Sequence, residues 1–206
     1  MVTTSAVAVR EGAINSDEAR LIFSAKQGNP QAFNHLVLSY QDRIYNLALR
    51  ILGDEDAAGD ITQNTFLTAY INLPRFRNGS FRSWLYRIAT NACYDVYRHN
   101  KRYPVQSIED KDLVEEKLTP LDDYPSASAR PEVEFERHEE ERIVQSAINQ
   151  LEVDQRTVLI LVDQQEFDYQ EAAQIMRIPV GTVKSRLARA RLRLRQLLSH
   201  SLDHLQ

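Results

Sequence analysis

The stretch that most constrains this chain is Asp168–Ser199, DYQEAAQIMRIPVGTVKSRLARARLRLRQLLS, which reads as two helices joined by a tight turn. Asp168 with Glu171 three residues on is a capping-box pattern, so a helix starts here and carries Ala172, Ala173, Ile175 and Met176. The adjacent alanines admit a closely crossing helix. The pattern breaks at Arg177-Ile178-Pro179, and Pro179 suits the first turn of a second helix, where its missing N–H costs nothing. From there Val183, Leu187, Ala190, Leu194, Leu197 and Leu198 recur at helical spacing as one apolar stripe. Ser185, Ala188, Arg189 and Leu192 lie on the opposite face. Lys184, Arg191 and Arg195 flank that face on one side, Arg186 and Arg193 on the other, and no acid occurs between Ala172 and Leu202.

A basic solvated face is the ordinary meaning of such a charge run. The helix-turn-helix spacing and the glycine at the helix start favour DNA instead: small or hydrogen-bonding side chains face base edges, and cations on both flanks reach phosphates. Gly181 and Thr182 are placed to let backbone N–H groups approach a phosphate. The segment YQEAAQIMRIPVGTVKSRLARAR also resembles the −35-reading region of bacterial extracytoplasmic-function (ECF, group 4) sigma factors of the sigma-70 family. Their pattern there is close to Y-x-E-I/A-A-x-I-M-x-x-P-x-G-T-V-K/R-S-R. The resemblance implies −35 contacts from Thr182, Lys184, Ser185, Arg186, Ala188, Arg189 and Arg193.

A net charge of −4 over 206 residues argues against nucleic acid only until it is located. Between Val105 and Glu141 there are thirteen acids and four bases, so this segment carries −9 and the remainder +5. Local charge decides which surface meets phosphate. The lone cysteine, Cys93, excludes an intramolecular disulfide framework or a Cys-based zinc site and suits a reducing cytoplasm. Met1–Val9 is short and lacks a basic leader, so no signal peptide is expected. No run approaches the ~18 apolar residues of a membrane span, and no membrane insertion is expected.

In chain order, residues 1–15 read as a disordered tail. Ser16 caps a short helix that Gly28 ends. Asn29-Pro30 opens a long helix with Phe33, Leu36, Val37, Tyr40, Ile44, Leu47, Ala48 and Ile51 in register, closed by Gly53. Asp54 caps a third helix, to about Asn72, whose core face takes Ala58, Ile61, Phe66, Ala69 and Tyr70. On its other face Asp60, Gln63, Asn64 and Leu67 form one stripe, with a leucine carried outward among polar groups. Leu73–Gly79 is a loop by its Pro, Asn and Gly and holds Arg75, Phe76 and Arg77. Ser80 caps a fourth helix with Phe81, Trp84, Leu85, Ile88, Ala92 and Val96 inward. Arg87, Asn91, Tyr94, Arg98 and Lys101 fall on one outward stripe, a pattern suited to single-stranded DNA. Pro104, Pro120, Pro125 and the many acids mark a flexible linker over 104–130. A helix from Pro131 to about Asn149 (Ile143, Val144, Ala147 and Ile148 inward) and another over Asp154–Val162 precede the helix-turn-helix.

Two further segments carry the same resemblance. AAGDITQNTFLTAY is similar to the sigma-factor segment that docks on the clamp helices of the RNA polymerase β′ subunit. Asp60, Gln63, Phe66 and Leu67 match it; Phe66 faces the core, and Asn64 departs from the usual Glu. FRSWLYRIATNACYDVYR is similar to the −10-reading helix, which implies −10 contacts from Phe76, Arg77, Arg87, Asn91, Tyr94, Arg98 and Lys101, with Phe76 and Asn91 beside a flipped base. Where Glu152 stands the family usually has Pro. The expectation is therefore an all-α chain of two small helical domains, a region 2 over 16–103 and a region 4 over 131–206. Its partners would be core RNA polymerase (β′ clamp helices and β flap), promoter DNA and an anti-sigma factor, with no cofactor, no metal and no bond chemistry of its own. The rival reading is a helix-turn-helix regulator that never meets core polymerase. The Asp60–Leu67 stripe and the loop-plus-helix over 75–102 count against it. A nucleic-acid enzyme fails for want of a metal-binding carboxylate cluster, a P-loop or a Cys/His set.

Overall fold

Side-chain capping sets where four of the helices begin. In the computed structural model, which describes residues 17–77, 79–103 and 142–203, every regular element is helical among the described residues. Helix α1 spans 17–26 and ends before Gly28, whose φ of +88° is the left-handed conformation that stops a helix. Asn29 Oδ1 then accepts from the N–H groups of Gln31 (3.0 Å) and Ala32 (3.3 Å), starting α2 (Pro30–Leu52). Gly53, at φ +73°, closes α2, and Asp54 caps α3 (Glu55–Asn72) by accepting from Ala57 N–H at 2.7 Å. A 3-10 turn (Leu73–Arg75) leads to the loop, and Ser80 Oγ accepts from Ser83 N–H at 3.2 Å to start α4 (Phe81–Arg102).

Two compact units emerge, and the division runs through α4 between Ala92 and Cys93. The first comprises 17–49 and 54–92. Its core takes Phe33, Leu36, Tyr40, Ile44 and Leu47 from α2, Ala58, Ile61, Phe66 and Ala69 from α3, and Phe81, Leu85, Tyr86 and Ala89 from α4. Burying one such leucine or phenylalanine is worth roughly 1.5–3 kcal/mol, so the amphipathic faces rather than helix propensity hold the unit together. Two sequence expectations shift here. Tyr70 stays 48% exposed, its ring only edging against Phe33 at 5.0 Å. The buried stripe of α4 centres on Phe81, Leu85, Ala89 and Cys93, while Trp84, Ile88, Ala92 and Val96 are half-buried at its margin. Cys93 is fully enclosed, and burial pushes its thiol pKa up to about 12, so it stays protonated and inert.

The second unit comprises 50–53, 93–103 and 142–203. Helix α5 spans 142–149 and α6 covers Val153–Leu159. Glu152 precedes α6 with φ −54°, within the range a proline would fix, so a glutamate at this position adopts the same backbone. Helix α6 does not run on as an α-helix to Val162: Ile160–Gln164 widen into a π turn, with Gln165 N–H donating to Ile160 O at 2.9 Å. Ile160 and Leu161 in this wider turn are both buried. Arg156 is buried and donates to the carbonyl oxygens of Ile51 (2.6 Å), Leu151 (3.2 Å) and Asn149, carbonyls left open where helices end. The capping box at Asp168 forms as the sequence indicates: Asp168 Oδ1 accepts from Gln170 N–H (2.7 Å) and Glu171 N–H (2.8 Å), and Glu171 Oε2 accepts from Asp168 N–H (3.2 Å). Helix α7 (Tyr169–Met176) ends at Arg177 in the left-handed conformation, and α8 runs Val180–Asp203. Pro179 sits one residue ahead of α8, its carbonyl accepting from Thr182 and Val183 N–H. The linker expected over 104–130, the start of the helix expected from Pro131 and the tail over 1–15 lie outside the described residues.

Candidate functional site

Three faces carry the expected site residues. On α3, Asp60, Gln63, Asn64 and Leu67 are all exposed, as their spacing requires. Leu67 is 62% exposed, and Ile71, one turn further on, is 68% exposed. The stripe therefore ends in a pair of apolar side chains at i and i+4. Extending the 60–63–64–67 spacing by one turn reaches Ile71, so the sequence held this signal unused.

The second face is the loop and α4. Phe76 is half-buried rather than projecting freely. Its ring lies 5.0 Å from Trp84 at 37° and edges against Phe81 at 5.9 Å. Phe76 N–H donates to Leu73 O at 3.0 Å, and Lys26 Nζ on α1 donates to Phe76 O. Arg77, Asn91, Arg98 and Lys101 are exposed, and Arg87 is half-buried. Arg98 pairs with Asp95 at 3.5 Å and stacks 5.8 Å over the Tyr94 ring. Tyr94 itself is committed elsewhere: its hydroxyl donates to Asp154 Oδ1 at 2.9 Å, and burial holds its phenol well above the ordinary tyrosine pKa.

The third face is α8. Ser185, Ala188, Arg189 and Leu192 are exposed while Val183, Leu187 and Ala190 are buried, so the helix presents the face its periodicity indicates. A Cβ built at Gly181 would meet nothing within 4 Å, so the fold itself does not need glycine there. Thr182 N–H is already taken by Pro179 O at 2.9 Å, which leaves the earlier N–H groups of Val180 and Gly181 to meet an anion. Ser185 Oγ donates back to Thr182 O (3.1 Å), and Arg189 Nε to Ser185 O (3.3 Å). The basic flank is not the bare row the sequence suggests. Arg186 pairs with Asp154 at 2.6 Å, and Arg191 grips Asp163 through Nε (2.9 Å) and Nη2 (2.5 Å). Lys184 lies 5.8 Å over the Tyr169 ring. Arg193 and Arg195 are exposed and make no ion pair among the described residues.

Residues 36–103 match the family model "Sigma-70 region 2" and residues 141–194 match "Sigma-70, region 4". The chain is 37% identical over 178 residues to the ECF RNA polymerase sigma factor SigW of Bacillus subtilis, covering 86% of this chain and 94% of that protein. It is 38% identical, also over 178 residues, to the RNA polymerase sigma-H factor of Pseudomonas aeruginosa, covering 84% and 90%. It belongs to the extracytoplasmic-function sigma factors of the sigma-70 family. As a sigma factor it binds core RNA polymerase and directs promoter-specific initiation through the −10 and −35 elements. The fold also matches the sigma factor RpoE in its co-crystal with the anti-sigma factor NepR from Bartonella quintana (TM-score 0.60, 28% identity, 81% of this chain and 96% of that one). CnrH in complex with the cytosolic domain of CnrY is a second match (TM-score 0.63, 25% identity, 89% and 98%). No helix among the described residues of the sigma factor is long and apolar enough to cross a membrane.

Proposed function

We propose that the three faces divide the work of this sigma factor. The α3 stripe Asp60, Gln63, Asn64 and Leu67, extended by Ile71, docks on core polymerase at the β′ clamp helices. Phe76, Arg77, Arg87, Asn91, Arg98 and Lys101 engage the −10 element, with Phe76 and Asn91 beside an unstacked base, whereas Tyr94 is held by Asp154. Thr182, Lys184, Ser185, Arg186, Ala188, Arg189 and Arg193 engage the −35 element, and the region 4 helices meet the β flap. The protein works in the cytoplasm as a binding subunit and breaks no bonds itself. We infer that an anti-sigma factor binds it, since the similar sigma factor RpoE is seen in complex with the anti-sigma factor NepR.

The observation that carries this reading is the exposed Leu67–Ile71 pair on an otherwise polar face. Two large apolar side chains in water contribute little to the fold and much to a hydrophobic docking spot. Leu67→Arg should leave folding stability within about 1 kcal/mol, as exposed substitutions do, yet abolish capture of core polymerase in a pull-down and run-off transcription. Ile71→Arg should give the same separation with a smaller loss. Capture undiminished in both variants would remove this face from the interface.

A further inference from the structure

Helix α1 lies outside the segment that the region 2 family model matches, which begins at residue 36. Within the first unit it is nonetheless tied down twice. Tyr40 Oη donates to Glu18 Oε1 at 2.5 Å near its start, and at its last turn Lys26 reaches across to the loop that follows α3. There the ammonium does two things at once: it donates to the Phe76 carbonyl, and it sits 5.2 Å from the centroid of the Phe76 ring. With Trp84 and Phe81 also against that ring, three partners fix one loop aromatic: a cation, a tilted indole and a ring edge.

Arg77 and Gly79 beyond Phe76 are exposed, and Gly79 takes φ +109°. Among the described residues, the Phe76 N–H donates to Leu73 O at 3.0 Å. A flipped base must recover a few kcal/mol of unstacking from stacking and hydrogen bonds, and it can do so only if its aromatic partner is already in place. We propose that Lys26 is a positioning residue for −10 recognition: it holds the Phe76 loop in the base-receiving conformation without itself contacting the base. The inference rests on the assignment of Phe76 to the −10 pocket.

The test uses holoenzyme reconstituted from core polymerase and full-length chain, with wild type, Lys26→Met, Lys26→Arg, Phe76→Ala and the double variant Lys26→Met/Phe76→Ala. Open-complex formation is followed by 2-aminopurine fluorescence at the −10 element, on duplex promoter and on template mismatched at −10. Lys26→Met should slow opening about tenfold on duplex and by less than twofold on mismatched template. Lys26→Arg, which keeps both the donor and the cation, should recover most of the rate. The double variant should be no slower than Phe76→Ala alone, since both changes remove one unit. A Lys26→Met defect that is equal on both templates and adds to that of Phe76→Ala would make Lys26 a phosphate contact and overturn the proposal. A normal Lys26→Met beside a defective Phe76→Ala would overturn the role of Lys26 alone. A normal Phe76→Ala on both templates would instead remove the pocket, and the proposal with it.

Discussion

Helices α3 and α8 both turn a proposed binding face outward, but the two faces differ in how they are prepared for a partner. The α3 face is bare: Asp60, Gln63, Asn64, Leu67 and Ile71 are all exposed. The α8 face is already partly neutralised, because Asp154 and Asp163 from the preceding helix and turn hold Arg186 and Arg191. A protein partner that buries apolar side chains gains from a surface with no competing contacts. A polyanion gains from cations held in place, and the acids that hold them reduce attraction to non-specific phosphate. On this account α3 is built for affinity and α8 for restraint.

That contrast can be broken in order of effect size. The largest effect is the loss of polymerase capture by Leu67→Arg, which should leave base preference untouched. Next, on α8, Arg189→Ala should lose on the order of 1–3 kcal/mol at one −35 base pair, because Arg189 is exposed at the centre of the reading face. Arg193→Ala should instead weaken all upstream sequences alike and lower the salt dependence. Footprinting across a panel of −35 variants at two salt concentrations separates the two outcomes. An identical uniform loss in both would merge the base-reading and phosphate roles. The smallest effect belongs to Asp163→Asn. The pair it breaks is largely exposed and worth less than about 1 kcal/mol to the fold. Freed, Arg191 can add a phosphate contact, which would steepen the slope of log affinity against log salt by about 0.9. A slope unchanged from wild type would mean that Asp163 does not restrain this helix.

The same contrast explains what the sequence made legible. The α3 stripe depends on positions within one helix, so periodicity alone gives its face, and Ile71 lies on the same spacing one turn beyond Leu67. The α8 face was legible for the same reason: Val183, Leu187 and Ala190 turn in, so Ser185, Ala188 and Arg189 turn out. The pairing of Arg186 and Arg191 was not, because Asp154 and Asp163 lie 32 and 28 residues away and nothing local links them. Tyr94 illustrates the limit most sharply. Its spacing puts it on an outward stripe of α4, yet the structure half-buries it and its hydroxyl is held by Asp154 sixty residues on. Phe81 and Leu85 face the α4 core as expected, but its other central residues are Ala89 and Cys93 rather than Ile88 and Ala92, a rotation of one residue that hydrophobicity cannot resolve when both rows are apolar. The π turn after Leu159 is a backbone choice that no side-chain pattern announced.

Two separate parts of the chain are proposed to read two promoter elements once core polymerase holds both. Selection of DNA by the reconstituted holoenzyme, followed by sequencing of the retained fragments, tests this most directly. Two sequence blocks at fixed spacing are expected: Arg189→Ala should alter only the upstream block, and Asn91→Ala only the downstream one. A single block, recovered equally well by the free chain without polymerase, would contradict the account and make the protein a helix-turn-helix regulator.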